Sequence, residues 1–111
     1  MFKVRVTPHW EIRQHDGEAL DTAVLLALLR SIEETGSIAR AAQGVGLSYR
    51  YAWGLLRKAE ALFGHSLMQT GRGRGTQLSS LAEKLIWADR RVSARLSPTL
   101  ESLASELETE L

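Results

Sequence analysis

Apolar and polar residues alternate one by one at the start of the chain. Lys3, Arg5 and Thr7 separate Phe2, Val4 and Val6, and Glu11 and Arg13 separate Trp10, Ile12 and Gln14. A period of two on either side of Pro8 predicts an N-terminal β-hairpin. From Glu18 the period changes. Leu20, Val24, Ala27, Leu28 and Ile32 recur at helical spacing, and Leu25, Leu26 and Leu29 make the predicted helix apolar on more than one side. Such a helix needs cover on two faces. Gly36 ends it, because glycine tolerates the left-handed conformation, and Ser37 is placed to cap the next helix.

That next helix is short, with Ile38, Ala41, Ala42 and Val45 on one face, and it runs out in Gly44-Val45-Gly46-Leu47. Ser48 then caps a third helix whose buried stripe is predicted as Ala52, Leu56, Ala59 and Phe63, with Leu55 and Leu62 assisting. Gly64 closes it. Leu67 to Thr70 and Thr76 to Leu78 predict two short strands around the loop Gly71-Arg72-Gly73-Arg74-Gly75. A last helix opens at Ser79 or Ser80, where Ser80 and Glu83 have capping-box spacing. Leu81, Leu85, Val92 and Leu96 continue it to Ser97-Pro98, which predicts either a kink or a fresh helix start. Leu100, Leu103, Leu107 and Leu111 line the segment after Pro98.

The fold class expected is mainly α: a winged helix-turn-helix with an N-terminal β-hairpin and a long C-terminal helix or helix pair. Residues 1–96 would form the winged helix-turn-helix domain and residues 97–111 a C-terminal dimerisation helix. With 111 residues, one ordinary core is the expectation. The leucines after Pro98 then read either as core of a single chain or, preferably, as the seam of a homodimer.

Charge sharpens the picture through its distribution. The formal net charge is only +1, yet residues 35–82 hold Arg40, Arg50, Arg57, Lys58, Arg72 and Arg74 against the single Glu60, a local balance of +5. The first 34 and the last 29 residues each balance at −2. A basic middle between acidic flanks suits a polyanion. The chain has no cysteine, which excludes a disulfide framework and a cysteine zinc site. It has no long apolar run, and its first residues alternate where a signal peptide would be apolar, so a cytoplasmic location and no membrane partner are expected.

Two helices joined by a tight turn place the second in the major groove only if the first packs closely on it. Ala41, Ala42 and Gly46 are the small residues available for that crossing. The first turns of the third helix then present Tyr49, Arg50, Tyr51, Trp53, Arg57 and Lys58. Arginine donates two hydrogen bonds to a guanine edge, and tyrosine reaches phosphate or stacks on sugar. Ser48 and the free N–H groups of the first turn suit a phosphate, and Ser37 and Arg40 stand at the start of the preceding helix. Arg72 and Arg74, set between glycines, suit minor-groove or phosphate contact. Trp53 lies between the buried stripe and the exposed face, so packing and DNA contact both remain open for it.

The run Gly36-Ser37-Ile38-Ala39-Arg40-Ala41-Ala42, followed by Leu47-Ser48, resembles the winged helix-turn-helix of LysR-type regulators, with Glu60 where that family carries a terminal glutamate. Ser48-Tyr49-Arg50-Tyr51-Ala52-Trp53, then Leu62-Phe63-Gly64, a glycine-rich wing, and Leu78 with Glu83, are similar to the DNA-binding domain of ModE-type molybdate-responsive repressors, whose helix carries Ser-Tyr-Lys-x-Ala-Trp. The resemblance spans about residues 20 to 95. It implies a regulator that forms a dimer through its N-terminal and final helices and binds a palindromic operator. Regulators of that type that sense molybdate carry separate oxyanion-binding domains after the winged helix, which are not expected within these residues.

The expected function is therefore sequence-specific binding of double-stranded DNA by a homodimeric transcriptional regulator, with a separate effector-sensing protein conceivable as a partner. The alternative is a winged-helix protein-interaction module whose basic face docks an acidic protein. No enzyme activity, cofactor or metal is expected. His9, His15 and His65 are scattered without carboxylates at ligand spacing, and no nucleophile and base pattern is recognisable.

Overall fold

A computed structural model describes residues 1–15, 17–70 and 75–111 of the chain. Its elements follow the order β1 (Glu11–Arg13), β2 (Ala19–Asp21), α1 (Thr22–Thr35), α2 (Ile38–Gly44), α3 (Tyr49–Phe63), β3 (Met68–Thr70), β4 (Thr76–Leu78) and α4 (Ser80–Glu110). This is the winged helix-turn-helix expected from the sequence.

The core is centred on α1. Leu25, Leu26, Leu28, Leu29 and Ile32 are all almost completely buried, which uses more than one side of the helix. On one side α2 and α3 close over it with Ala41, Ala42, Ala52, Leu56 and Ala59; on the other, α4 brings Ala82, Leu85 and Ile86 and β4 brings Leu78. The stripe predicted for the third helix holds at Ala52, Leu56 and Ala59, while Leu55, Leu62 and Phe63 are half-buried at its margin. The α1 helix starts four residues later than its period suggested, at Thr22, because Asp21 caps it by accepting from the Ala23 N–H at 2.9 Å. Gly36, at φ 69°, ends it in the left-handed conformation.

The N-terminal hairpin exists but pairs other residues than the alternation indicated. β1 is antiparallel to β2, with Ile12 opposite Leu20, and the turn is closed by the Gly17 N–H donating to the Gln14 carbonyl at 2.6 Å. Residues 1–10 belong to no strand. Their period of two has another cause: Val4, Val6, Pro8 and Trp10 are half-buried, alternating with exposed Lys3, Arg5, Thr7 and His9. The segment is an arm laid antiparallel along α4. One end is fixed where the Trp10 indole donates to Asp89 at 3.0 Å, and the other is near the Lys3–Glu108 pair at 4.0 Å. A cleft of about 610 Å³ remains between arm, α1 and α4, with Leu26, Ser97, Leu100 and Ala104 among its walls.

Two further corrections concern local chemistry. Gly46 does not serve a close crossing, since a Cβ built there meets nothing within 4 Å; it serves the turn, which requires its φ of 76°. The close approach of α2 and α3 rests on Ala41, Ala42 and Ala52. Ser79 alone caps α4, accepting from the Ala82 N–H at 3.3 Å, so Ser80 is already helical and the Ser80 and Glu83 capping box is not formed.

Of the two outcomes expected at Pro98, the fresh start is not seen: one helix runs from Ser80 to Glu110 with Pro98 inside it. Proline removes the N–H that would meet the carbonyl four residues back. Here that carbonyl belongs to Ala94, and both residues are exposed, so water can take the vacated position. Residues 97–111 are accordingly the distal part of one long helix. No helix among the described residues is long and apolar enough to cross a membrane.

Asp89 joins three parts of the chain. One carboxylate oxygen accepts from Trp10, and the other accepts from Arg30 of α1 at 2.7 Å. Arg30 is itself substantially exposed, so most of the contribution comes from the two donors and less from charge attraction. Asp89→Ala should lower the unfolding free energy by about 1–3 kcal/mol, the usual range for stranding buried or half-buried donors. Urea denaturation checks this, and an unchanged midpoint would show that the clamp adds nothing.

Candidate nucleic-acid interface

The interface is built by α2, the turn after it and α3. Ser37 accepts from the Arg40 N–H at 3.2 Å and so fixes the start of α2; Ser48 accepts from the Tyr51 N–H at 3.0 Å and fixes the start of α3. Both serines are therefore already engaged as caps. Between them the Leu47 N–H donates to the Ala42 carbonyl at 2.8 Å, which closes the turn.

Because α3 buries Ala52, Leu56 and Ala59, helical spacing puts Arg50, Gly54 and Arg57 on the opposite side. Arg50 and Arg57 are exposed, as is Arg40 on α2, and none of the three forms an ion pair among the described residues. Gly54 lies between the two arginines with open space where a side chain would stand. Tyr49 and Tyr51 flank this face at 55% and 57% exposure. Large aromatic side chains left that open need a reason, and a ligand against the face is one.

Trp53 is half-buried and packs against the core cluster, so packing is a role it has in the free chain. Its exposed part also carries its neighbours. The Tyr49 ring meets it edge-on with centroids 6.2 Å apart, and the Arg57 guanidinium sits 5.3 Å from its ring centroid. Tyr49, Trp53 and Arg57 thus form one ladder at helical spacing, in which cation–π attraction restrains the arginine.

Lys58 is directed elsewhere. Its ammonium pairs with Glu18, before β2, at 2.7 Å, and this hydrogen bond and positive charge lower the Glu18 pKa from its ordinary value. Arg72 and Arg74 lie outside the described residues. The wing strands around them are in register, with Met68 opposite Leu78 and Thr70 opposite Thr76.

Glu60 is the residue that composition could not interpret. The single acidic group of the basic middle accepts from the Leu67 N–H at 2.8 Å and from the Ser66 hydroxyl at 3.0 Å. It ties the end of α3 to the entry of the wing. Its isolation amid cations and its place in the family resemblance mark it in the sequence without giving its partners.

Geometry of this kind defines a class: a helix-turn-helix with a wing, presenting cations on the exposed side of its second helix. Residues 24–83 match the bacterial regulatory helix-turn-helix proteins of the lysR family, and the chain belongs to that family. It is similar to the molybdenum transport protein ModE of Herbaspirillum seropedicae, with 42% identity over 73 residues, covering 62% of this chain and 27% of that protein. A second relative is the molybdenum-pterin-binding protein MopB of Rhodobacter capsulatus, at 35% identity over 86 residues, 74% of this chain and 32% of that one. The chain thus spans about a third or less of the relatives it matches. Its fold is similar to that of the full-length LysR-type regulator LysG from Corynebacterium glutamicum, with TM-score 0.60 and 23% identity over 76% of this chain and 29% of that one. The chain is accordingly a ModE-like, LysR-type DNA-binding unit of a transcriptional regulator.

Trp53→Ala should cost about 2 kcal/mol of stability, roughly half the loss usual for a fully buried aromatic side chain. Arg57→Ala, at an exposed position, should cost under about 0.5 kcal/mol. Denaturation of both variants checks the contrast, and equal small losses would show that Trp53 contributes little to packing.

Proposed function

We propose that the chain binds double-stranded DNA sequence-specifically as a homodimer at a palindromic operator, with Arg50 reading a base edge from the first turn of α3. The observation that carries this reading is the exposed pair Arg50 and Arg57, without an ion pair among the described residues, on the side of α3 opposite its buried stripe. Tyr49, Tyr51 and Arg40 clamp the backbone on either side, and the helix starts capped by Ser37 and Ser48 offer their remaining N–H groups to phosphates. Trp53 holds Tyr49 and Arg57 in position. Lys58, paired with Glu18, is left out of this contact set, and Arg72 and Arg74 would add charge from the wing.

The homodimer rests on the distal half of α4. Leu96 and Leu103 are 43% exposed and Leu111 72%, and Leu107 is also exposed on the same stripe, while Leu100 is half-covered by the N-terminal arm. A second copy related by a two-fold axis would bury that stripe on its own equivalent. The two α3 helices would then meet major grooves about 34 Å apart. Location in the cytoplasm follows from this function.

Arg50→Ala should weaken specific binding by about 1–3 kcal/mol and relax the preference at one base pair per half-site. Site selection from random DNA followed by titration measures both; equal loss on specific and random duplexes would assign Arg50 to phosphate alone. Truncation after Arg95 should give a weaker dimer that binds full palindromes little better than half-sites. Sedimentation showing the intact chain monomeric at tens of micromolar, or the truncated chain equally dimeric, would misplace the seam.

A further inference from the structure

The outer face of α4 carries a second, separate constellation. Trp87 is 64% exposed, whereas Trp10 and Trp53 both pack against the core. Arg91, one turn on, places its guanidinium 6.0 Å from the Trp87 ring centroid. Lys84 and Arg95 extend the same stripe, since positions 84, 87, 91 and 95 share a helical face over about 16 Å. Ala82, Leu85 and Ile86, which enter the core, lie on the other side. Beside the tryptophan, Ala88, Arg91, Val92 and Arg95 line a hollow of about 240 Å³.

This face is positive and unneutralised. Among the described residues Lys84, Arg91 and Arg95 form no ion pair, although Arg30 and Arg90 on neighbouring faces do. Of the carboxylates of this half of α4, Asp89 is taken up in the clamp with Trp10 and Arg30, and Glu83, one turn before Trp87, borders the face on the side of Glu33 and β4, which leaves the face net positive.

We infer that the α4 face formed by Lys84, Trp87, Arg91 and Arg95 docks an acidic segment of a second protein, at a place separate from the DNA contacts. Three considerations select this occupant. α4 packs on α1 and β4 through the side that carries Ala82, Leu85 and Ile86, so the face of Trp87, Arg91 and Arg95 is the opposite side of a different helix from the one that carries Arg50 and Arg57, with Lys84 nearest the wing, beside His65 and Ser66. A second copy of the chain would bring one basic face against another, and the exposed leucine stripe is on a different side of the helix. Tryptophan and arginine are the residue types that dominate protein interfaces, and a guanidinium restrained over an indole keeps its edge free for a carboxylate.

The test uses the full chain saturated with random-sequence duplex, which occupies the α3 face, and a fluorescein-labelled synthetic amphipathic peptide with glutamates on one side and leucines on the other. Anisotropy should show saturable binding, absent for the isosteric peptide with lysine in place of glutamate. Trp87→Ala and the double variant Arg91→Glu, Arg95→Glu should each weaken it about tenfold or more, with duplex affinity and sedimentation unchanged. The positions are exposed, so far-UV circular dichroism should stay that of the parent. No saturable binding, or binding insensitive to both variants, overturns the proposal. A double variant with weakened duplex affinity and a flatter salt dependence would assign the face to DNA, and a Trp87→Ala chain with altered self-association would assign it to a second copy.

Discussion

Everything in this fold depends on the need to cover α1 on both sides. Leu25, Leu26, Leu28, Leu29 and Ile32 spread the apolar surface of the helix over more than one side, and a helix of this kind is stable only with cover on each of them. One layer is the α2–α3 pair, whose buried positions Ala41, Ala42 and Ala52 are small enough to permit a close approach. The other is α4 with β4. The α3 surface that carries Arg50 and Arg57 is exposed because the opposite surface is committed to the core, so the side proposed to face DNA follows from the burial requirement.

The same requirement explains why so much of the fold is legible in the sequence. The helical repeat of α1, the glycines at 36 and 64 and the serines at 37 and 48 are local signals, and the structure uses each where the sequence put it. What the sequence conceals is long-range. Nothing near Val4 or Val6 distinguishes pairing with a strand from lying along a helix, since both bury every second residue; the difference is made by Asp89, some eighty positions away, which engages Trp10. Lys58 likewise reads as one more cation until the fold brings its partner Glu18 beside it. Within the candidate site, the exposed positions of α3 follow from its period. The ladder of Tyr49, Trp53 and Arg57 does not, because spacing permits such a contact without requiring it.

Pro98 marks a limit of rules drawn from local chemistry. Proline is a poor helix residue partly because a carbonyl loses its donor, yet on an exposed face that carbonyl is open to water, and here the helix continues through it. The distal leucines are therefore carried on the same continuous helix that packs against α1.

Glu60 gives the recognition surface a mechanical property. By accepting from the backbone of Leu67 and the hydroxyl of Ser66, it ties the entry of the hairpin to α3. In the proposed complex, the span between the major-groove helix and the wing would then be a caliper of set opening. Duplexes whose flanking groove has the matching width would fit without deformation, and stiffer or wider ones would have to be bent to meet it, so the protein would discriminate among sequences at base pairs that none of its side chains touch.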